Sequence, residues 1–146
     1  MRGEVRSHIE AAPLTVYALV SDVTRMGEWS PETQRANWIG GATGPEPGAR
    51  FRGTNRRGLL RWSNKPRVDV ADPGREFTFT TSLLGRDLTT WRYRFEPSGD
   101  GTDVIESFDA RDTIIVKLMG GDRRREELEA GMRTTLERLK DVAERT

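Results

Sequence analysis

The segment Val104-Ile105-Glu106-Ser107-Phe108 sets one carboxylate in an otherwise apolar alternating run. If Val104 and Phe108 face a protein interior, strand alternation carries Glu106 inward with them. A carboxyl group removed from water holds its proton more tightly, and it can serve as an acid, a base or a partner for a ligand hydroxyl. A one-residue slip instead turns Ile105 inward and Glu106 to solvent, and the local pattern leaves both registers open. Tyr93 and Asn64 are the other candidates for polar chemistry. Tyr93 lies in WRYRF, with Trp91 and Phe95 on its own side and Arg92 and Arg94 on the other. Asn64 shares a face with Trp62, and Asn55 shares one with Phe51 and Gly53. Together with Phe79 and Phe108, these faces mix aromatic rings with isolated polar groups, the usual makeup of a small-molecule pocket. The same residues also fit a filled core whose polar groups reach water at strand ends.

Several chemistries are excluded by residue count. The chain of 146 residues has no cysteine, hence no disulfide, thiolate nucleophile or zinc-thiolate site. His8 is the only histidine, and its parity sets it opposite Val5 and Ile9, toward solvent, so no Ser-His-Asp grouping can be built and no metal site is expected. The glycine runs GGATGPEPG and GGDRRR match neither a P-loop nor a dinucleotide fingerprint, and no cofactor is implied. With a net charge of +1 and 34% hydrophobic residues, the composition is that of a folded domain with a modest core. No run is long and apolar enough to span a membrane, and the N-terminus lacks the apolar region of a signal peptide, so a cytoplasmic location is expected.

One charge feature stands apart. From Arg50 to Arg67 there are seven basic residues and no acidic one, with Phe51 and Trp62 interleaved. Such a stretch suits single-stranded nucleic acid, an anionic ligand or partner, or a membrane surface touched peripherally, or it is a solvated outer face balanced by Glu126, Glu127 and Glu129. The small overall charge argues against nucleic acid.

The elements that must position these residues follow from periodicity. EVRSHIEA alternates as a half-buried strand. Pro13 opens a short helix carrying Leu14, Val16, Tyr17 and Val20, and Asp22 caps a second one carrying Val23 and Met26. Pro31 ends the helical region near Trp29. About six strands follow: TQRANWIGG, ARFRGTN, LLRWSNKPRVDV, EFTFTTSL, DLTTWRYRFEP and TDVIESFDARDTIIV. RRG marks a hairpin tip, DPGR a type II turn, and Gly85 another turn. After Gly120-Gly121, a helix runs from Asp122 to about Arg145. Its apolar stripe is Leu128, Met132, Thr135, Leu136, Leu139, Val142 and Ala143. A meandering antiparallel sheet with one long helix on one face is an α+β arrangement.

That order, carried by IEAAPLTVYALVSDVTRMGEWSPE, GARFRGTNRRG, RWSNKPRVDVADPGREFTF, WRYRFEP and GTDVIES, resembles the START-like (SRPBCC) superfamily. The branch it resembles is the polyketide cyclase/dehydrase and lipid-transport family. The resemblance covers nearly the whole chain and implies a single START-like ligand-binding domain over residues 1–146. It implies the helix-grip fold: a curved antiparallel sheet of six to seven strands around the C-terminal helix, with two short helices after the first strand. A cavity between them would open near the short helices and hairpin tips. The implied ligand set is Trp29, Phe51, Asn55, Trp62, Phe79, Trp91, Tyr93, Glu106, Phe108 and Met132. Trp29 would then lie at the cavity mouth, unless it only staples the short helices to the sheet.

Three functions are in play. The favoured one is binding of a small hydrophobic or aromatic molecule such as a lipid or polyketide. The second is an aromatase/cyclase-like enzyme, in which Tyr93, Asn64 and Glu106 would promote condensation and dehydration. The third is an interaction or regulatory module using the basic hairpin Arg50–Arg67. A monomer or a homodimer is compatible with each.

Overall fold

The computed structural model describes residues 1–111, 118 and 120–146. Strand β1 (Arg2–Ile9) leads into helix α1 (Pro13–Ser21) and a 3-10 helix, Val23–Glu28. Seven strands follow: β2 (Thr33–Ile39), β3 (Arg50–Arg57), β4 (Leu60–Asn64), β5 (Arg67–Asp72), β6 (Glu76–Leu83), β7 (Arg86–Ser98) and β8 (Gly101–Ala110). Helix α2 (Gly121–Arg145) closes the chain.

The strands form one antiparallel sheet in the order β1-β8-β7-β6-β5-β3-β2, with β4 paired to β3. The count is eight, above the six to seven expected. The excess comes from LLRWSNKPRVDV, which is two strands. Pro66 has no N–H for a ladder, and the chain bends there, so β4 and β5 pair with different parts of β3. Register shifts with an extra residue in β2, β5 and β7 add curvature. The expected extension of the last strand through residues 112–116 lies outside the described residues.

Local chemistry sets the turns. Pro73 and Gly74 (φ 75°) make the tight turn between β5 and β6, closed by Arg75 N–H donating to the Asp72 carbonyl. The Asp22 carboxylate accepts the Thr24 N–H and starts the 3-10 helix. That helix lies so close to β2 that a Cβ on Gly27 would run into the Gln34 carbonyl. The whole unit is therefore seated on the sheet through a glycine.

Helix α2 does two things along its length. Leu136, Leu139 and Ala143 are buried in a continuous core with Ile9, Val16, Tyr17 and Val20, so its C-terminal half packs on β1 and α1. Each large apolar side chain fully buried there contributes about 1.5–3 kcal/mol. The N-terminal half, with Leu128 and Met132, is held over the concave sheet face without filling it. Leu14, expected on the buried face of α1, is instead 61% exposed.

Candidate functional site: a cavity between the sheet and the C-terminal helix

The space left beneath α2 is a cavity of about 490 Å³, within the range of small-molecule sites. Its walls follow from strand parity. On β3, Phe51, Gly53, Asn55 and Arg57 alternate inward; on β4, Leu60, Trp62 and Asn64 do so. Phe79 comes from β6, Trp91 and Tyr93 from β7, Glu106 from β8, and Leu128, Met132 and Thr135 from α2. The rings brace one another edge to face. Phe51 sits 5.3 Å from Phe79 and 5.8 Å from Trp38, centroid to centroid.

Glu106 lies on the inner face. It is 3% exposed, opposite Val5 on one neighbouring strand and Tyr93 on the other. Of the two registers the sequence left open, the one facing Glu106 inward is present. Ile105 is also fully buried, but on the outer face between its cross-strand partners Arg6 and Arg94, whose stems can screen it. The Tyr93 hydroxyl donates to Glu106 Oε2 at 2.8 Å. Glu106 Oε1 has no partner among the described residues. Burial pushes the carboxyl up to about 8, against a smaller opposing effect of the Tyr93 hydrogen bond. Burial also raises the Tyr93 phenol well above its usual value, helped by the adjacent carboxylate. Near neutral pH Glu106 is therefore mostly a neutral acid. One oxygen accepts from Tyr93, and the other is free to donate to, or accept from, a molecule in the cavity.

Asn55 and Asn64, the other two polar candidates on the wall, are engaged with each other. Thr33 Oγ1 donates to Asn55 Oδ1 at 2.8 Å, and Asn55 Nδ2 donates to Asn64 Oδ1 at 3.3 Å. Asn64 thus supports Asn55 and stands on a different strand from Glu106.

Two members of the expected ligand set are not on the cavity wall. Trp29 is 2% exposed and belongs to the core, with the Arg25 guanidinium 5.7 Å from its ring. It staples the 3-10 helix, while Met26, Ser30, Pro31 and Glu32 reach the cavity in its place. Phe108 occupies the space above Gly3, its strand partner, where a Cβ would collide with the ring, and packs 5.4 Å from Trp91. Phe51, Asn55, Trp62, Asn64, Phe79, Trp91, Tyr93, Glu106 and Met132 all line the wall.

The mouth joins Arg124 and Glu32, which the sequence reading did not single out, to Arg57 of the basic segment and Glu127 of its acidic balance. Arg124, 6% exposed, donates to both oxygens of Glu32 at 2.7 and 2.9 Å and to Glu127 at 2.8 Å. Arg57 grips Glu127 through two nitrogens, at 2.5 and 2.6 Å, and holds that carboxyl below its usual value. This chain of four charges ties the β3–β4 hairpin, α2 and the segment after the 3-10 helix together across the opening. The signal for Arg124 was present in the sequence. It lies four residues before Leu128 and continues the buried stripe of α2, where an arginine demands partners. Arg67 is likewise paired, with Asp69 and Asp87. The basic segment is therefore not uniformly a free cationic run.

His8 is remote from the cavity. It bridges Asp103 and Glu10 on the outer edge, at 2.8 and 2.7 Å, and these hydrogen bonds raise its pKa. Among the described residues no cluster of acids and histidine could hold a metal ion, and no helix is long and apolar enough to cross a membrane.

Comparison with known proteins agrees with this architecture. The family model for polyketide cyclase/dehydrase and lipid transport matches residues 2–144. A polyketide cyclase-like protein from Corynebacterium glutamicum, solved by NMR, is 32% identical over 97% of this chain and 90% of its own, with a TM-score of 0.62. Two more distant structures share the fold. A protein from Mesorhizobium loti has 16% identity and a TM-score of 0.73, over 100% of this chain and 98% of its own. The di-domain aromatase/cyclase of the steffimycin biosynthetic pathway has 15% identity and a TM-score of 0.74, over 99% of this chain and 50% of its own. No match was found among curated proteins. With its helix-grip architecture, its cavity and a family match across nearly its full length, the chain belongs to the polyketide cyclase/dehydrase and lipid-transport family.

Proposed function

We propose that this protein binds a small hydrophobic or aromatic molecule carrying at least one hydrogen-bonding oxygen, in the cavity beneath α2. The observation that carries this reading is Glu106 Oε1, a buried polar atom without a partner among the described residues, on the wall of an otherwise largely apolar cavity. An unpaired buried oxygen costs about 1–3 kcal/mol. A ligand hydroxyl or carbonyl would remove that cost, while Phe51, Trp62, Phe79 and Trp91 take its apolar body. The Corynebacterium relative and the family description support a ligand-binding role of this kind.

A second reading is favoured by one further observation. With its pKa near 8, Glu106 can give up or take a proton close to neutral pH. Catalysis of condensation or dehydration on a bound polyketone would place Glu106 as the acid–base group and Tyr93 as the residue that orients it.

Native mass spectrometry of protein purified without detergent, against its denatured mass, tests the first reading. A discrete small molecule lost on denaturation supports it, and Met132→Trp, which fills the cavity, should abolish the adduct. An apo wild type that also fails to bind 1-naphthol in a fluorescence titration would overturn it. Glu106→Gln then separates the two readings: a carrier keeps its ligand, whereas an enzyme keeps binding but loses turnover.

A further inference from the structure

Two hairpin tips at the rim of the cavity carry features that destabilise the fold. Leu59 is 98% exposed and Leu84 is 89% exposed. Leu84 also has φ of 52°, the left-handed region where a Cβ is disfavoured and glycine or asparagine fits; it is the only non-glycine residue with positive φ among those described. On the first hairpin Arg56 lies directly across from Arg61, a repulsive like-charge pair.

The two tips border one opening. Leu60 and Leu83, the chain neighbours of the exposed leucines, both line the cavity. Three acidic groups at the opening are already neutralised: Glu32 by Arg124, Glu127 by Arg57, and Asp87 by Arg67. Arg56, Arg61 and Arg86 make no ion pair with any described residue. The rim thus presents projecting apolar points, each flanked by guanidinium groups that form no ion pair among the described residues.

We propose that these tips dock on an anionic lipid bilayer, with Leu59 and Leu84 entering the boundary between headgroups and acyl chains and Arg56, Arg61 and Arg86 meeting lipid phosphates. Interfacial binding grows with the apolar area buried and with attraction to anionic lipid. Guanidinium groups suit phosphate because they pair through two hydrogen bonds. An acidic protein surface would engage the arginines and leave the leucines in water. Two separate apolar points on either side of an open mouth match a deformable bilayer better than a rigid partner. Docked in this way, the mouth faces the membrane, and a hydrophobic ligand could pass between bilayer and cavity without crossing water. That consequence rests on the proposed ligand-binding role, whereas docking itself does not.

Co-sedimentation of the full chain tests the proposal, with vesicles of phosphatidylcholine alone and with roughly one-third phosphatidylglycerol. Binding is expected to the mixed vesicles and to weaken as salt is raised. Arg56→Ser with Arg61→Ser should lose binding by about fivefold or more per arginine and flatten the salt dependence. Leu59→Glu with Leu84→Glu should lose at least about tenfold, with circular dichroism unchanged. Leu84→Trp should show blue-shifted indole emission on mixing with the anionic vesicles. Three results would each overturn the proposal: no binding to mixed vesicles at low salt, unchanged binding by the leucine variant, or an unshifted indole. Binding to polyglutamate with equal affinity would also overturn it, reassigning the surface to an acidic protein. Vesicle binding without any cavity ligand would keep this inference while removing the ligand-binding role.

Discussion

Tyr93 and Glu106 stand directly opposite each other on neighbouring antiparallel strands, and the tyrosine hydroxyl donates a 2.8 Å hydrogen bond to one carboxyl oxygen while the other has no described partner. The pairing is half complete, and both side chains are buried.

That burial makes the stability pH-dependent. Burial raises Glu106 from 4.5 to about 8, so the folded state keeps a proton that the unfolded chain releases. The contribution of Glu106 to stability is therefore greatest below pH 4.5 and falls until about pH 8. The total is on the order of 3–5 kcal/mol. Glu106→Gln should remove that slope. It should be more stable than the wild type at pH 8 and nearly equal at pH 4.5, as read by urea denaturation at the two pH values. Equal pH profiles for the two proteins would show that Glu106 is not desolvated. Tyr93→Phe should raise the Glu106 pKa further, because it removes a hydrogen bond that favours the carboxylate.

At the mouth, Arg124 is the buried member of a chain of ion pairs and carries the hydrogen bonds to Glu32 and Glu127. Arg124→Ala strands Glu32, while Arg57 still holds Glu127, and should cost about 2–4 kcal/mol, less than a fully buried pair because Glu32 reaches solvent. Release of a bound aromatic probe should also speed up, since the segment after the 3-10 helix and α2 are no longer tied. Stopped-flow release at matched stability checks the second effect. Unchanged release would show that the ion pairs hold the fold and not the opening.

Leu84 sits in a left-handed turn with its side chain in water. Leu84→Asn should therefore stabilise the protein by about 0.5–1 kcal/mol, since asparagine tolerates that backbone and no packing is lost. A rise in Tm on scanning calorimetry is the expected result. A fall would mean that Leu84 contributes to packing in solution.

Gly27 is the contact point between the 3-10 helix and β2. Gly27→Ala drives a methyl group into the Gln34 carbonyl and should cost about 1–3 kcal/mol. The shift should reach Met26 and Ser30 on the cavity wall, so ligand affinity should fall along with stability. Chemical-shift changes confined to the helix itself would contradict that coupling.

What the sequence determined by itself was the repetitive part of the molecule. Alternation in WRYRF and FRGTN, the stripe on α2 and the turn chemistry of DPGR are local rules, satisfied within a few residues of chain. They suffice to assign faces, and with the order of elements they reach the helix-grip fold. Local rules could not choose between Glu106 and Ile105, because both side chains of that strand are buried, one on each face of the sheet. Nor could they separate wall from core. Trp29 and Phe108 have the residue types of a pocket, yet each is taken up by packing against a distant part of the chain. Arg57, Arg124, Glu32 and Glu127 come from three separate segments; Arg57, Glu32 and Glu127 look like solvated charges in one dimension, and the helical stripe that marks Arg124 as buried does not name its partners. Only the tertiary structure brings them to one opening, because an ion pair between segments depends on distance in space and leaves no periodic trace in the sequence.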